Sequence, residues 1–374
     1  MFKIKIKTDQ KAYPVYLGRG MIDSIGSVIS AYLPACSILV VSDRNVSLYY
    51  GERCLESLRR AGFKPYLEVL EGGEKDKSLT AASTLYTRAL EAGLDRHAAI
   101  VALGGGVTGD LAGFVAATYL RGVPYVQVPT TLLAMVDSSI GGKVAVNHPL
   151  GKNLIGAFYQ PSLVISDVDT LNTLPEREFN AGLAELVKYG VIWDKKLFER
   201  LESLKSLSRR ASPRGLLLEI DNPWLLKFIA RAVLIKGEIV CRDEREKNLR
   251  RVLNFGHTFG HALEAATGYA YYLHGEAVAC GMAMAARLAV LLNILDPASE
   301  RRIKTLLKQL KTPFPPQGLN KDTVAEALFY DKKKEGGELV FVLPTAPGRV
   351  LMYKAPPFSL MEQVIEEYLR GDLL

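Results

Sequence analysis

Three of the chain's five histidines fall in one short window, among neighbours of the kinds that hold a catalytic metal. His257 and His261 stand four residues apart in NFGHTFGHALEAA, so on a helix they share one face. His274 follows in HGEAV, and Glu185 lies upstream in the helical pattern LAELVKYGVI. Neutral imidazoles joined by a carboxylate are the usual donors to a catalytic divalent ion, whose open position polarises a substrate oxygen. A lone histidine more often caps a helix or fills a polar gap in a core. Three in one window, flanked by Gly256, Gly260 and Gly275, favour a metal held by Glu185, His257 and His274. Spacing alone does not choose between His257 and His261.

A second signal is AAIVALGGGVTGDLAGFVAATY, which reads as a buried strand, a glycine turn and a helix. Gly104-Gly105-Gly106-Val107-Thr108-Gly109-Asp110 satisfies G-x-G-x-x-G. Many ordinary strand–helix turns satisfy it too, but here the context is that in which backbone amides and a helix N-terminus cradle a pyrophosphate. No acidic residue closes a strand about twenty positions later, where an ordinary dinucleotide unit keeps its ribose ligand. Asp43, closing SILVVSD earlier in the chain, is the candidate, which implies a dinucleotide site of variant topology. Metal and dinucleotide together point to alcohol–ketone chemistry.

Lys143, Lys152, Lys188, Lys236, Arg250 and the lysines of DKKK (331–334) lie beside glycines or apolar residues. Any one of them reads as a solvated charge. Together they suit a multiply anionic small molecule, since lysine binds phosphate as a point charge and arginine grips carboxylate as a fork. The run RRIKTLLKQLK (301–311) reads as a solvated helix face.

A chain of 374 residues exceeds the roughly 250–300 at which single cores stop growing, so two domains are expected. SILVVSD (37–43), KPYLEVLEGG (64–73), AAIVALGGG (98–106) and VPYVQVPTT (123–131) are the strand candidates, with helices between them. That alternation predicts a Rossmann-like parallel sheet domain over residues 1–170. Residues 137–156 are glycine-rich and polar, and read as a functional loop or hairpin. From LNTLPEREFNAGLAELVKYGVI onward the pattern is helical, predicting a mainly α-helical metal- and substrate-binding domain over 171–374, with a surface loop at SLSRRASPRG. The fold class expected is therefore α/β.

With 48% apolar and 23% charged residues the composition is that of a soluble globular protein. The net charge of +7 is scattered among acids and forms no basic stripe, which argues against nucleic acid. No apolar run reaches the ~18 residues that span a bilayer, so no membrane partner is expected. MFKIKIKTDQ alternates with period two, as an edge strand does and a signal peptide does not. Cys36, Cys54, Cys241 and Cys280 form no C-x-x-C pair, which fits free thiols in a reducing cytoplasm.

The blocks GGGVTGDLAGFVAATYLRG, VPTTLLAMVDSSIGGKVAVN, GKNLIGAFYQP, LAELVKYG, LNFGHTFGHALE and HGEAVACGM resemble the 3-dehydroquinate synthase family of sugar-phosphate cyclases, in family order from about residue 40 to 345. The resemblance implies NAD, a divalent zinc or cobalt ion, a cytoplasmic homodimer and a bisanionic sugar phosphate as substrate. It implies metal ligands at Glu185, His257 and His274, leaving His261 to handle polar contacts or protons beside the substrate. Nucleotide contacts then fall on Asp43, Glu74, Lys77, Gly105, Gly106, Val107, Asp110, Thr130, Thr131, Asp137, Ser138 and Thr173, with Lys143 and Lys152 adjoining. Substrate contacts fall on Asp137, Lys143, Lys152, Asn153, Lys188, Lys236, Arg250 and Asn254, and on Lys332, with Lys333 the alternative. Arg121, in YLRG, resembles an arginine that reaches into the neighbouring subunit's site.

The implied reaction converts 3-deoxy-D-arabino-heptulosonate 7-phosphate to 3-dehydroquinate and phosphate, by transient oxidation, β-elimination, reduction, ring opening and aldol closure. The rivals are a cyclase of the 2-deoxy-scyllo-inosose or valiolone type, whose substrate lacks the carboxylate, and a metal-dependent polyol dehydrogenase that releases NADH. A basic binding protein without catalysis leaves the histidine cluster unexplained.

Overall fold

Runs such as SILVVSD and AIVALG lack polar alternation because both of their faces are covered, as in a parallel sheet. The structure, a computed structural model, describes residues 1–204, 207, 223–334 and 339–374, the side chains of 223 and 330–334 excepted. The chain is mixed α/β and divides into two compact units, Met1–Leu174 with Ser212–Arg245, and Pro175–Ala211 with Glu246–Leu374.

The first unit holds strands β1 (Phe2–Lys7), β2 (Ala12–Gly18), β3 (Ser37–Asp43), β4 (Lys64–Leu70), β5 (Ala99–Gly104), β6 (Tyr125–Pro129), the hairpin β7 (Lys143–His148) and β8 (Gly151–Phe158), and β9 (Leu163–Asp167). Its seven-stranded sheet has the order β1-β2-β9-β6-β5-β3-β4. Only β1 runs antiparallel, on the edge, with Ile4 and Ile6 turned inward as its alternation predicts. The helices are α1 (Ile25–Ser30), the single turn α2 (Arg44–Val46), α3 (Glu52–Arg60), α4 (Leu79–Glu91) and α5 (Gly106–Thr118). Leu39, Val41, Ile100 and Ala102 pack with Leu85 of α4 and Leu111 of α5. The intervening Ile38, Val40, Val101 and Leu103 pack with Ile29 of α1 and Leu58 of α3. Successive residues of one strand thus enter two different cores.

Strand order reverses between β3 and β5. From there β4 lies outward on one side, and β6 and β9 on the other. Open sheets bind ligands beyond the carboxyl ends of their strands at such a reversal. Here those ends are Asp43 and Gly104.

The second unit holds α6 (Glu176–Ile192), α7 (Lys195–Glu202), α9 (His257–Ala266), α10 (His274–Leu291), α11 (Pro297–Lys308), α12 (Lys321–Lys334) and α13 (Phe358–Leu369), with an antiparallel ribbon of β10 (Val340–Ala346) and β11 (Arg349–Lys354). The intervening helix, α8 (Pro223–Arg242), belongs to the first unit and packs against β1 with Gly237 over Ile6. A single cut near 170 therefore does not describe the chain path, because periodicity identifies a helix without saying which layer it covers. The loop expected at SLSRRASPRG lies outside the described residues, Leu207 excepted.

Glycines set how closely α6, α9 and α10 approach. A Cβ on Gly275 would overlap the Ala181 carbonyl of α6, and one on Gly281 would overlap the carbonyl of Gly256, just before α9. Both obstructions are backbone, so they cannot swing aside. Gly275→Ala is accordingly expected to cost about 3 kcal/mol of stability and to lower metal retention. Urea unfolding with metal analysis of the folded fraction checks this, and an unchanged midpoint would mean that the helices have room to part.

Candidate active site

Helix α9 carries His257, His261 and Glu264 at successive spacings of four and three, hence on one face. His274 is the first residue of α10, and Glu185 lies in the buried middle of α6. One ligand atom from each of Glu185, His257 and His274 lies within 4.8 Å of the others. The His257 and His274 rings are 5.2 Å apart between centroids, and those of His261 and His274 6.2 Å.

Glu185 is 1% exposed, and neither of its oxygens accepts a hydrogen bond. Its charged neighbour is the equally buried Lys188, one turn along α6. That ammonium pairs with one carboxylate oxygen, while the other, buried and without a hydrogen-bond donor, is available to a divalent cation. Two imidazoles and a carboxylate make a fitting donor set for such an ion.

The imidazoles are also prepared for a ligand role. Nδ1 of His257 lies 3.1 Å from the Phe255 carbonyl, which fixes the proton there and leaves Nε2 with its lone pair. Desolvation, followed by the Lys188 charge, holds His257 well below the usual histidine range, so the ring is neutral near pH 7. For His274 burial disfavours the charged form, but the Glu264 carboxylate 3.5 Å from Nδ1 outweighs it and the pKa rises. His261, Glu264 and His274 form a second, overlapping cluster in which His261 is exposed.

In the same unit Arg250 is 2% exposed, although the run EREKNLRR reads as solvated charge. It sits in the 3-10 turn Leu249–Asn254. Asn254 closes that turn and donates through Nδ2 to Glu246 (3.2 Å). Lys332 and its alternative Lys333 fall among the residues whose side chains are not described.

In the first unit the glycine turn joins β5 to α5, and no side chain caps the first turn of α5. Val107 lies in that first turn. A Cβ on Gly105 would approach the Thr131 methyl to 3.0 Å, and one on Gly106 the Ser138 hydroxyl to 3.2 Å. Side chains at these two positions would fill the cradle. Thr130 donates its amide to the Gly104 carbonyl (2.9 Å), while its buried hydroxyl has no partner. Asp43 accepts from the amides of Asn45 and Val46 at 3.0 and 3.1 Å, which caps α2.

Lys77 donates to Asp110 (2.6 Å) and to the Asn153 side-chain oxygen (2.5 Å). Asn147 donates to Glu74 (2.7 Å) and accepts from the Asn153 amide (2.9 Å). Glu74, Lys77, Asp110 and Asn153 are thereby one network. Burial pushes the Asp110 carboxyl above its ordinary range, and the Lys77 charge opposes this.

Lys236, 5% exposed, donates to the Asp137 carboxylate (2.7 Å) and carbonyl (2.8 Å). Thr173 shares a 2.8 Å hydrogen bond with Tyr50. Lys143 begins β7 opposite Phe158, whereas Lys152 follows Gly151 at the other end of the hairpin. The two lysines thus stand toward opposite ends of the hairpin ladder. Arg121, with φ of 67°, follows the far end of α5, roughly 20 Å along the helix from the glycine turn.

Sequence reasoning missed Asn147, Glu246 and Glu264. Glu264 had a signal, since it continues the His257–His261 face. Glu246 is hidden in a run of charges, and Asn147 gains its role only when the hairpin closes.

Comparison with known proteins gives the same picture. Residues 67–181 match the family model for the 3-dehydroquinate synthase N-terminal region, and residues 182–334 that for its C-terminal region. A 3-dehydroquinate synthase of Desulforamulus reducens is 48% identical over 355 residues, 95% of this chain and 96% of that protein. A solved 2-deoxy-scyllo-inosose synthase complexed with carbaglucose-6-phosphate, NAD+ and Co2+ is 29% identical with a TM-score of 0.86, covering 98% of this chain and 100% of that one. A 2-epi-5-epi-valiolone synthase of Streptomyces hygroscopicus subsp. jinggangensis, with NAD+ and Zn2+ bound, is 28% identical with a TM-score of 0.87, covering 98% and 99%. The glycine turn at the sheet's reversal, the carboxylate–histidine cluster and matches along most of the sequence agree: the chain belongs to the 3-dehydroquinate synthase family.

Proposed function

We propose that the chain converts 3-deoxy-D-arabino-heptulosonate 7-phosphate to 3-dehydroquinate and phosphate, as a phosphate-eliminating lyase that uses NAD and a divalent metal. The observation that carries the reading is the buried Glu185 carboxylate beside His257 and His274, in a chain 48% identical to a named 3-dehydroquinate synthase. When bound, NAD takes up and returns a hydride, and the ion acts as a Lewis acid toward a substrate oxygen.

The chain's own residues bind and orient. Glu185, His257 and His274 would hold the ion, zinc or cobalt. The amides of Gly105, Gly106 and Val107 would receive the pyrophosphate, with Thr130, Thr131 and Ser138 lining the cradle and Asp43 accepting from ribose hydroxyls. Thr173, Glu74, Lys77 and Asp110 would complete the nucleotide pocket, and Asp137 would stay oriented through Lys236. Lys143, Lys152, Asn153 and Asn254 would meet the phosphate, and Arg250, with Lys188 and Lys332, the carboxylate end. His261, exposed beside the cluster, would move a proton. Most of the catalytic effect then comes from positioning and preorganised charge.

We place the enzyme in the cytoplasm, supported by four free cysteines and by the absence, among the described residues, of any helix long and apolar enough to cross a membrane. We also propose a homodimer. The length of α5 between Arg121 and its own glycine turn supports a role for that arginine in a second copy.

The test is to supply the heptulosonate phosphate, NAD and zinc or cobalt, and to follow phosphate release and the carbocyclic product. NAD is expected to be needed only in catalytic amounts, because the hydride returns within each turnover. Accumulation of NADH in step with product would favour a polyol dehydrogenase. Turnover of a sugar phosphate lacking the carboxylate, at an equal rate, would favour the other cyclases.

A further inference from the structure

Glu264 lies on the same face of α9 as His257 and His261, is 4% exposed, and approaches Nδ1 of His274 to 3.5 Å. A buried carboxylate costs several kcal/mol unless a positive or proton-donating partner faces it. Glu264 is buried although His261, one turn earlier on the same face, is exposed, so its carboxylate is withdrawn from solvent at the side of the histidine cluster. The two histidines proposed as ligands share one arrangement, with an oxygen acceptor at each Nδ1: the Phe255 carbonyl for His257 and the Glu264 carboxylate for His274. Such an acceptor keeps the proton on Nδ1, directs Nε2 outward and makes that nitrogen a better donor.

Glu264 also appears, with His261 and His274, in the overlapping cluster that could take a metal directly. The two clusters share His274, so the same nitrogen cannot face both. Glu185 pairs with the Lys188 ammonium through one oxygen and leaves the other without a partner, open to an ion, whereas the Glu264 carboxylate already faces the Nδ1 of His274. We infer that Glu264 is a positioning residue that orients His274 and raises the metal affinity of the Glu185–His257–His274 cluster without itself ligating the ion. The inference rests on the metal reading above.

The experiment uses full-length protein stripped by a chelator, without substrate, titrated with Zn2+ or Co2+ against a chromophoric chelator at fixed pH. Glu264→Ala is expected to weaken both metals by about 10- to 100-fold. Glu264→Gln retains an oxygen that accepts from Nδ1–H, and is expected to lose less, about 3- to 10-fold. NAD affinity should be unchanged in both. Where the alanine variant does not fold, the glutamine variant decides. Affinities within twofold of the parent would overturn the inference. So would a glutamine variant as weak as Glu185→Ala, accompanied by equal loss in His261→Ala, because Glu264 would then be a ligand. Parental affinity in Glu185→Ala would overturn the metal reading itself, and is thereby distinguished from failure of the Glu264 role.

Discussion

Glu185→Gln is expected to leave the protein without bound metal and to lower kcat/KM by about 1,000-fold or more, a loss of roughly 4 kcal/mol or more of transition-state stabilisation. The substitution keeps volume and shape, so the helix packing around Gly275 should survive. It removes the carboxylate charge, which is 1% exposed and faces two histidines. Lys188, equally buried, loses its counter-charge and must be neutralised or destabilise its surroundings. Metal analysis after dialysis, with activity measured in excess zinc and in excess cobalt, reads the effect. NAD titration of the same preparation reports on the other unit and should be unchanged. Full metal occupancy in the glutamine variant would show that the ion is held elsewhere.

Arg250→Ala should lower kcat/KM by roughly 30- to 1,000-fold, or about 2–4 kcal/mol, while metal content and NAD affinity stay near the parent's. The guanidinium is 2% exposed, so it is no surface charge. It lies in the turn that leads to Asn254 and then to His257 at the start of α9. A fork in that position can donate two parallel hydrogen bonds to a carboxylate, which an ammonium matches poorly. Arg250→Lys therefore separates two effects. A requirement for charge alone would be met by lysine, whereas a requirement for the fork would leave it nearly as slow as alanine. Unchanged kinetics in both variants would remove the main support for a carboxylate-bearing substrate and raise the rival cyclases.

The parallel sheet was legible because burial on both faces writes continuous apolar runs, as at 37–43 and 98–104. Asp43 and Gly104 could be paired by residue type, but their meeting at the strand-order reversal needed the topology. The proximity of His257 to His261 follows from helical spacing alone, whereas that of Glu185 and His274 depends on glycine contacts between separate helices. Polar pairings were the least legible. Lys236 reads as a free cation and is instead bonded to Asp137, ninety-nine residues away in sequence. Arg250 and Glu246 sit in one charged stretch, yet one is buried and the other bonds Asn254, which a charge pattern does not reveal. The ribbon of β10 and β11 was not anticipated, because proline-rich and charged segments around it obscure two short strands.

The return of α8 to the sheet unit has a consequence for biosynthesis. Emerging from the ribosome, the sheet is missing a covering helix until Arg245 has been made, although its last strand ends at Asp167. At roughly 5–20 residues per second, the interval from Leu174 to Arg245 leaves β1 without α8 for several seconds. Until then the inward Ile4 and Ile6 of β1 lack that helix's cover, apolar surface beside a strand edge that can pair with another nascent chain. The strand's lysines at 3, 5 and 7 all point to solvent, and their mutual repulsion guards that edge while the helix is still to come.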